Sequence, residues 1–329
     1  MQKKSNSPRI ARALAHPNIA FIKYWGNRDN SLRLPQTGSI SMCLADLQTE
    51  TQVTLLEGSG ADEFFLDGTL QAGPPRERVV HFLDIVRRKA GSRCNARVES
   101  LNNFPAGAGV ASSASAFAAL ALAASRAYGM ELSEAELSAL ARRGSGSASR
   151  SVPAGFVEWL PGSGDSDSYA VSIAPANHWD LVDVVTILDK KHKKTGSTEG
   201  HRLAQTSPLN EVRIRAVPER LERCRKAILG RDFESFAEVT EEDSDSMHAV
   251  MRTSTPALIY QTQLTLQILE KVKRWRKAGH AVCATVDAGP NVHVIALSAE
   301  KAWLEAELQG LQGVEKLLTC TPGGGAKLI

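Results

Sequence analysis

The segment PAGAGVASSASAFAALALAASRAYG, residues 105–129, carries the strongest structural signal in the chain. Alanines interspersed with Phe117, Leu120 and Leu122 predict a tightly packed helix over residues 113–128. The segment begins with a glycine-containing loop and two serines, so the first-turn amides of this helix are free to bind a group. Small residues before a helix N-terminus also let the backbone approach a phosphate. A close contact between two helices is the alternative explanation of this composition.

A second segment, GSGSASRS at residues 144–151, follows a well-delimited helix. Ser133 and Glu136 form a capping box for that helix, which is expected to stop at Gly144. The serines and glycines offer hydroxyls and amides, and Arg150 offers a planar guanidinium that suits a carboxylate or a phosphate. A glycine- and serine-rich linker has the same composition. The residues alone leave the linker and the anion site open.

Two further side chains stand at the ends of apolar stretches. Lys23 ends the strand-like NIAFIK, where a solvent-exposed lysine is the commoner arrangement. Asp287 opens the turn DAGPN, and both a general base and an ordinary turn residue fit that position. The basic run KKHKK at residues 190–194 is interpreted as a solvated loop, and His248 as a packing or capping histidine. With the two anion-binding segments, this set is typical of phosphoryl transfer to a small anionic molecule.

The composition excludes several classes of protein. The 329 residues contain 39 Lys and Arg against 36 Asp and Glu, which is too balanced for a general polyanion binder. The five cysteines are scattered without a C-x-x-C pair, so neither a zinc site nor a disulfide framework is predicted. The N-terminus has no apolar signal region, and no apolar run reaches about 18 residues. We therefore expect a cytoplasmic protein with no membrane or nucleic-acid partner.

The order of the segments predicts two α+β lobes. Strand-like stretches dominate the first hundred residues, and they include a hairpin signal at Asp67 and Gly68. The predicted division of the chain is into residues 1–185, which contain both candidate anion-binding segments, and residues 186–329. The second lobe is expected to contain helices over 208–229 (interrupted at Pro218), 231–252 and 256–278, then two strands joined by DAGPN, and a helix over 299–311.

Four strings resemble, in the same order, the mevalonate diphosphate decarboxylases of the GHMP kinase superfamily: NIAFIKYWGNRD, NNFPAGAGVASSASAFAAL, ARRGSGSASRSVPAGFVEW and VDAGPN. The similarity continues through STEGHRLAQTSPL and DSDSMHA, so it covers nearly the whole chain. The resemblance implies a GHMP-kinase-like α+β fold, with an N-terminal lobe like ribosomal protein S5, a C-terminal ferredoxin-like lobe and a cleft between them. It also implies an ATP- and Mg²⁺-dependent decarboxylation of a phosphorylated mevalonate by a homodimer.

The same resemblance implies roles for individual residues. Asp287 would act near the substrate's 3-hydroxyl as base or orienting group, Arg150 would hold its carboxylate, and Lys23 would stabilise charge at the reacting centre. Ser113 would face the ATP phosphates and the metal ion. Further substrate contacts are expected from Asn18, Tyr24, Ser145, Gly146, Ser147 and Ser197. The ATP-binding loop would comprise Pro105, Gly107, Gly109, Ala111, Ser112 and Ser113.

Departures from the family's usual strings bear on the substrate. Asn27 stands where the family usually has the second lysine of KYWGK, Thr198 stands where some members have arginine, and Thr37-Gly38 replaces the Asn-Ser of PLNSS. A charge-assisted contact is worth about 1.5–3 kcal/mol, so losing cations and donors suits a less charged ligand. These changes predict mevalonate 5-phosphate as substrate, with isopentenyl phosphate as product. The alternatives are the 5-diphosphate, giving isopentenyl diphosphate, and a 3-kinase that stops before decarboxylation.

Overall fold

The computed structural model describes residues 10–58, 60–104, 112–188 and 196–329. The strands in these ranges are β1 (Ile10–Ala15), β2 (Asn18–Ile22), β3 (Asn27–Asp29), β4 (Leu34–Pro35), β5 (Ser39–Cys43), β6 (Thr49–Leu55), β7 (Glu63–Leu66), β8 (Thr69–Leu70), β9 (Ala96–Asn102), β10 (Phe156–Trp159), β11 (Ala170–Ala174), β12 (Leu181–Ile187), β13 (Val282–Val286), β14 (Val292–Leu297), β15 (Lys316–Cys320) and β16 (Lys327–Leu328). The helices are α1 (Pro74–Ala90), α2 (Ser112–Ala127), α3 (Glu134–Gly144), α4 (Ser197–Leu203), α5 (Asn210–Gly230), α6 (Phe233–Thr253), α7 (Gln263–Lys277) and α8 (Lys301–Gln309). None of these helices has both the length and the apolar character that crossing a lipid bilayer requires.

The described part of the first lobe contains two large sheets, with strand orders β16-β1-β6-β9-β7-β8 and β11-β10-β5-β2, and a two-stranded sheet of β3 and β4. The helix predicted from the alanine-rich segment is confirmed as α2, and most of its alanines are buried. Their small side chains let α2 pack closely on the larger sheet, in a core shared with α1 and α3. This packing fixes the start of α2, and therefore Ser112 and Ser113, relative to the sheet.

Two local predictions in this lobe are confirmed. Ser133 and Glu136 form both bonds of the capping box at the start of α3, which ends at Gly144. Asp67 and Gly68 connect β7 to β8, and both have positive φ angles, 49° and 78°. That geometry is the one a two-residue hairpin turn requires. Both features depend only on residues within a few positions of one another.

The second lobe is built on a four-stranded antiparallel sheet with the order β13-β14-β12-β15. Helices α7 and α8 cover one face of this sheet. Helices α5 and α6 cover the other face, and their apolar side chains also contact β2, β5 and β10 of the first lobe. The predicted pair AVCATV and VHVIAL corresponds to β13 and β14. Because β12 crosses the predicted division at residue 185 and pairs with β14 and β15, we propose that the second lobe begins before Leu181.

Two helix predictions in this lobe were wrong. The helix expected to break at Pro218 is continuous as α5 (Asn210–Gly230). Proline removes a single N–H donor, and the buried side chains of Val217 and Cys224 hold the helix in the core on either side of it. Helix α7 begins at Gln263 rather than at residue 256, because Thr262 caps it through reciprocal bonds with Thr265.

Candidate active site

A pocket in the described part of the structure is lined by residues of both lobes. All the predicted catalytic residues line it, and so do the predicted substrate residues Asn18, Tyr24, Ser145, Gly146 and Ser147. Its lining also includes side chains that sequence reasoning did not single out, among them Arg33, Arg78 and His201. The described residues that line it are Asn18, Ala20, Lys23, Tyr24, Trp25, Arg33, Arg78, Ser113, Ser145, Gly146, Ser147, Arg150, Thr198, His201, Met247, Asp287 and Ala288.

The closest charged pair in this pocket joins Lys23 to Asp287. Lys23 follows β2 and Asp287 follows β13, so each residue is carried by a different lobe. Lys23 Nζ donates to Asp287 Oδ1 at 2.6 Å, and the side chains are 1% and 28% exposed. The expectation of a solvent-exposed lysine was therefore wrong. The pair therefore places a partly accessible carboxylate, held by a buried ammonium, where a ligand in the pocket can reach it.

The backbone of Lys23 is held by a buried charge cluster on α5 and α6. Asp243, which is 0% exposed, accepts the Lys23 N–H through Oδ2 at 2.7 Å. Arg213 donates through Nη2 to the Lys23 carbonyl at 2.9 Å and to Asp243 at 3.1 Å, and Arg220 also donates to Asp243. We call Arg213, Arg220 and Asp243 the Asp243 cluster. Sequence reasoning missed it, because Asp243 stands in the acidic run EEDSDS and no neighbouring residue marks it as buried.

The segment GSGSASRS is a buried part of the pocket wall and not a linker. Residues Gly146–Ser151 form a 3₁₀ helix directly after α3, and Ser149 and Ser151 are fully buried. A Cβ atom at Gly146 would lie 2.5 Å from the Tyr24 ring, so only glycine allows this approach. The hydroxyl of Ser145 lies 3.0 Å from that of Ser113 at the start of α2.

Arg150 lies at the end of this segment and is 3% exposed. Its Nη1 donates to Ser39 Oγ at 2.6 Å and its Nη2 to Asn18 Oδ1 at 3.2 Å, while Nε has no partner. The amide of Asn18 is oriented in turn by Ser147 and Ser151. Burial lowers the pKa of Arg150 to about 10, although Asp287 opposes that shift. A buried guanidinium with donor capacity to spare is suited to a substrate carboxylate.

The pocket is electropositive because its three arginines have no carboxylate partner among the described residues. Besides Arg150, the described part of the chain contains four buried arginines, and each forms a salt bridge with Asp or Glu: Arg87, Arg142, Arg213 and Arg220. Arg150 is buried and Arg33 and Arg78 are half-buried, and none of these three forms a salt bridge with a described residue. Arg78 lies over the Phe117 ring and donates to the Gly144 carbonyl, and burial lowers its pKa to about 10. Unpaired buried cations favour the binding of an anionic ligand.

Only two of the predicted ATP-binding residues, Ser112 and Ser113, lie within the described ranges. Pro105, Gly107, Gly109 and Ala111 lie outside the described residues, as does the run at 190–194. Ser112 and Ser113 begin α2, and Ser197 begins α4 next to the pocket residue Thr198. The roles given to these residues stay predictions.

The groups at the start of α2 fit a polyphosphate with Mg²⁺. The hydroxyls of Ser113 and Ser145 lie together there, and Arg78 lines the same pocket. Within the described ranges, no cluster of His, Cys, Asp or Glu could hold a metal ion by itself. Mg²⁺ is commonly bound through one or two protein oxygens and the substrate's phosphates, which is compatible with the proposed Ser113 contact.

Two histidines of the site are held in the neutral form. His201 stacks on Tyr24 at 4.1 Å between ring centroids, and burial lowers its pKa to about 3. His248 of α6 is 2% exposed and donates through Nε2 to the Val286 carbonyl at 3.1 Å. Burial lowers its pKa to about 4. The interpretation of His248 as a packing histidine is confirmed, since its ring holds the end of β13 one residue before Asp287.

The pKa of His248 predicts a loss of stability in mild acid. The folded state binds a proton less readily than the unfolded state, so stability falls as the pH drops below the ordinary value of 6.5 toward 4. This histidine alone should lower the free energy of unfolding by about 2 kcal/mol between pH 7 and pH 5. Urea unfolding of the wild type and of His248→Gln at both pH values measures it. Equal losses in the two proteins would contradict the prediction.

Comparison with known protein families finds matches over both lobes. The model described as "Diphosphomevalonate decarboxylase-like N-terminal domain" matches residues 15–170, and "Mevalonate 5-diphosphate decarboxylase C-terminal domain" matches residues 183–317. The diphosphomevalonate decarboxylase of Candida albicans is 39% identical over 298 residues, which is 85% of this chain and 82% of that protein. The human diphosphomevalonate decarboxylase is 38% identical over 317 residues, covering 89% and 78%.

Solved structures of such enzymes share the whole fold. The mevalonate diphosphate decarboxylase from Staphylococcus aureus superposes with a TM-score of 0.93 at 38% identity, over 97% of this chain and 98% of that one. A structure of MDDEF in complex with MVAPP, AMPPCP and magnesium gives the same TM-score at 36% identity and the same coverage. The predicted two-lobed GHMP fold is therefore confirmed.

Proposed function

This chain belongs to the diphosphomevalonate decarboxylase family of the GHMP superfamily, and we propose that it converts mevalonate 5-diphosphate into isopentenyl diphosphate. As a member of that family it is an ATP-dependent decarboxylase that uses Mg²⁺. The predicted family, enzyme class and cofactors are thereby confirmed. The other products of the proposed reaction are CO₂, ADP and phosphate.

The choice of the 5-diphosphate replaces our expectation of mevalonate 5-phosphate. That expectation rested on Asn27, Thr198 and the Thr37-Gly38 change, and the relatives, which are named diphosphomevalonate decarboxylases, do not support it. The physical premise was that the pocket had lost positive charge. Arg33 and Arg78 line the pocket without carboxylate partners, so the loss of one lysine does not leave it poor in cations.

The observation that carries the proposal is the ion pair between Lys23 and Asp287 in the same pocket as Arg150 and Asn18. In this proposal Asp287 accepts the proton of the 3-hydroxyl, and Arg150 with Asn18 holds the C1 carboxylate. This arrangement holds the 3-hydroxyl, whose C3–O bond must break, and the C1 carboxylate, whose C1–C2 bond must break. Holding the reacting groups in one geometry removes much of the entropic barrier.

The chemistry balances with these residues in these roles. ATP supplies the phosphoryl group that turns the 3-hydroxyl into a leaving group. The C3–O bond then breaks and phosphate leaves, while the electrons of the C1–C2 bond form the C2=C3 double bond and the carboxylate departs as CO₂. The Lys23 ammonium stabilises negative charge on Asp287 and on the departing oxygen, in a site where burial strengthens the interaction.

Product stoichiometry with each substrate tests the proposal. Purified enzyme is incubated with ATP, Mg²⁺ and either mevalonate 5-diphosphate or mevalonate 5-phosphate, and ADP and CO₂ are both measured. We expect one CO₂ per ADP and a higher kcat/KM for the diphosphate. A higher value for the monophosphate would restore the sequence-based expectation, and ADP without CO₂ would establish a 3-kinase. We also propose that the protein is a cytoplasmic homodimer. Light scattering, which measures the mass of the assembly, would test whether the 35.5 kDa chain forms a dimer.

A further inference from the structure

Arg33 is a pocket residue with no assigned role. It lies in the turn between β3 and β4, and its side chain is partly buried in the pocket wall. Nε donates to the Arg143 carbonyl at 3.1 Å, which aims the guanidinium. Neither Nη atom has a hydrogen-bond partner among the described residues, and Arg33 has no salt bridge to them. Burial lowers its pKa, so the unliganded protein bears a cost for keeping this cation there.

The turn that carries Arg33 is held firmly in place. The fully buried Arg142 donates through Nε to the Leu32 carbonyl, and Asp29 accepts the Leu32 N–H. Arg33 itself has φ of 52°, a left-handed conformation that costs a non-glycine residue about 1–3 kcal/mol. An arginine is therefore presented to the pocket at some cost in backbone energy, by a turn that α3 anchors.

The surroundings of Arg33 identify which end of the pocket it serves. Tyr24 is near enough for Arg33 to lower its pKa, against the burial that raises it to about 12. The Tyr24 hydroxyl donates to Asn27 Oδ1, so Asn27 turns a neutral acceptor toward this side of the pocket. The Tyr24 ring also contacts Gly146 in the segment that is expected to hold the 5-phosphate end. Arg33 thus lies on the side where the usual lysine of KYWGK is missing.

We propose that Arg33 binds the outer phosphate of the substrate's 5-diphosphate and supplies the cation that Asn27 does not. This assignment rests on the proposed function and deepens it, because it names the residue that determines specificity for the diphosphate. A guanidinium with two free Nη donors can bind a phosphate in bidentate fashion. The neighbouring Arg142 and Arg143 differ from Arg33 in this respect, because both form a salt bridge with the carboxylate of Asp165.

Steady-state kinetics of Arg33→Gln test the assignment. The control is Arg28→Gln, which removes a cation from β3 of the same hairpin, where Arg28 is exposed and bonds only to the carbonyls of Pro35, Pro161 and Gly162. Loss of a charge-assisted contact should raise the KM for mevalonate 5-diphosphate about 10- to 100-fold. The kcat and the KM for ATP should stay close to the Arg28→Gln values. The KM for mevalonate 5-phosphate should rise much less. Arg33→Lys should restore only part of the affinity for the 5-diphosphate that Arg33→Gln loses.

Three results would overturn the assignment. They are a KM for the diphosphate that matches that of Arg28→Gln, a fall in kcat at constant KM, and equal losses on the two substrates. If the wild type releases no CO₂, the proposed function fails but Arg33 can still be tested. Calorimetric titration of inorganic pyrophosphate, with AMPPCP and Mg²⁺ saturating the nucleotide site, should then show binding to Arg33→Gln weakened by about tenfold or more, and unchanged binding would overturn the assignment.

Discussion

Replacing Asp287 with asparagine is expected to lower kcat by about 10²- to 10⁴-fold, the range that a positioned general base contributes. Asparagine has nearly the same shape, but it cannot take the proton of the 3-hydroxyl, and it removes the ion pair with Lys23. The affinity for ATP should change little, because the arginines and serines of the pocket are untouched. Steady-state assays of CO₂ release give kcat, and calorimetric titration with AMPPCP gives the nucleotide affinity.

Asp245→Asn is the matched control for this variant. Asp245 also lies near a lysine, with its Oδ2 3.7 Å from Lys273, but its side chain is 59% exposed and does not line the pocket. We expect no measurable change in kcat, since exposed ion pairs contribute little. Turnover of Asp287→Asn close to that of Asp245→Asn would refute the assignment of the base. If Lys23 and Asp287 act as a unit, the double variant Lys23→Met/Asp287→Asn should have a kcat only slightly below that of the less active single variant.

Replacing Asp243 with asparagine is expected to lower the free energy of unfolding by about 3–5 kcal/mol. The variant leaves Arg213 and Arg220 in the protein interior without the carboxylate that they share. It also weakens the bond that holds the Lys23 N–H, so kcat should fall in the protein that folds. Guanidinium unfolding followed by fluorescence measures the stability, and assays well below the midpoint measure the activity.

The neighbouring residue Glu242 supplies the control for Asp243. Glu242 pairs with Arg220 and Arg223, but its side chain is 44% exposed. Glu242→Gln should therefore cost at most about 1 kcal/mol. Similar losses in the two variants would show that the Asp243 cluster is not a stability determinant. If Asp243→Asn does not fold at all, Arg213→Met, which keeps Asp243 paired with Arg220, should fold with reduced kcat.

Local sequence signals predicted much of the secondary structure. Three predicted features depend only on residues close together in the sequence, and all three are confirmed. They are the capping box at Ser133 and Glu136, the Asp67-Gly68 hairpin and the alanine-rich α2. The prediction for α5 failed because tertiary contacts overrode local preference: the buried face of the helix keeps it intact through Pro218. The start of α7 was predicted wrongly because the local capping box of Thr262 and Thr265 was not recognised.

The candidate site was less accessible to local reasoning. The residues alone left GSGSASRS undecided and favoured an exposed Lys23; only the resemblance to a family pointed to substrate contacts for both. Arg33, Arg78 and Asp243 were not predicted, because nothing within a few residues of them indicates a pocket. Their significance depends on partners such as Lys23, which lies 220 positions from Asp243.

The sequence by itself therefore determined most of the helices, the Asp67-Gly68 turn, the two-lobed α+β class and, through long ordered strings, the family. Those properties depend on neighbours along the chain or on similarity to a known pattern. The tertiary structure decided which charges are buried and which of them are paired. Nothing near Arg142 or Arg33 in the sequence separates them, yet among the described residues Arg142 meets a carboxylate and Arg33 does not. An anionic ligand can bind only to those cations that the fold leaves without a carboxylate partner. Because the partners lie far apart in the sequence, only the tertiary structure shows which cations these are.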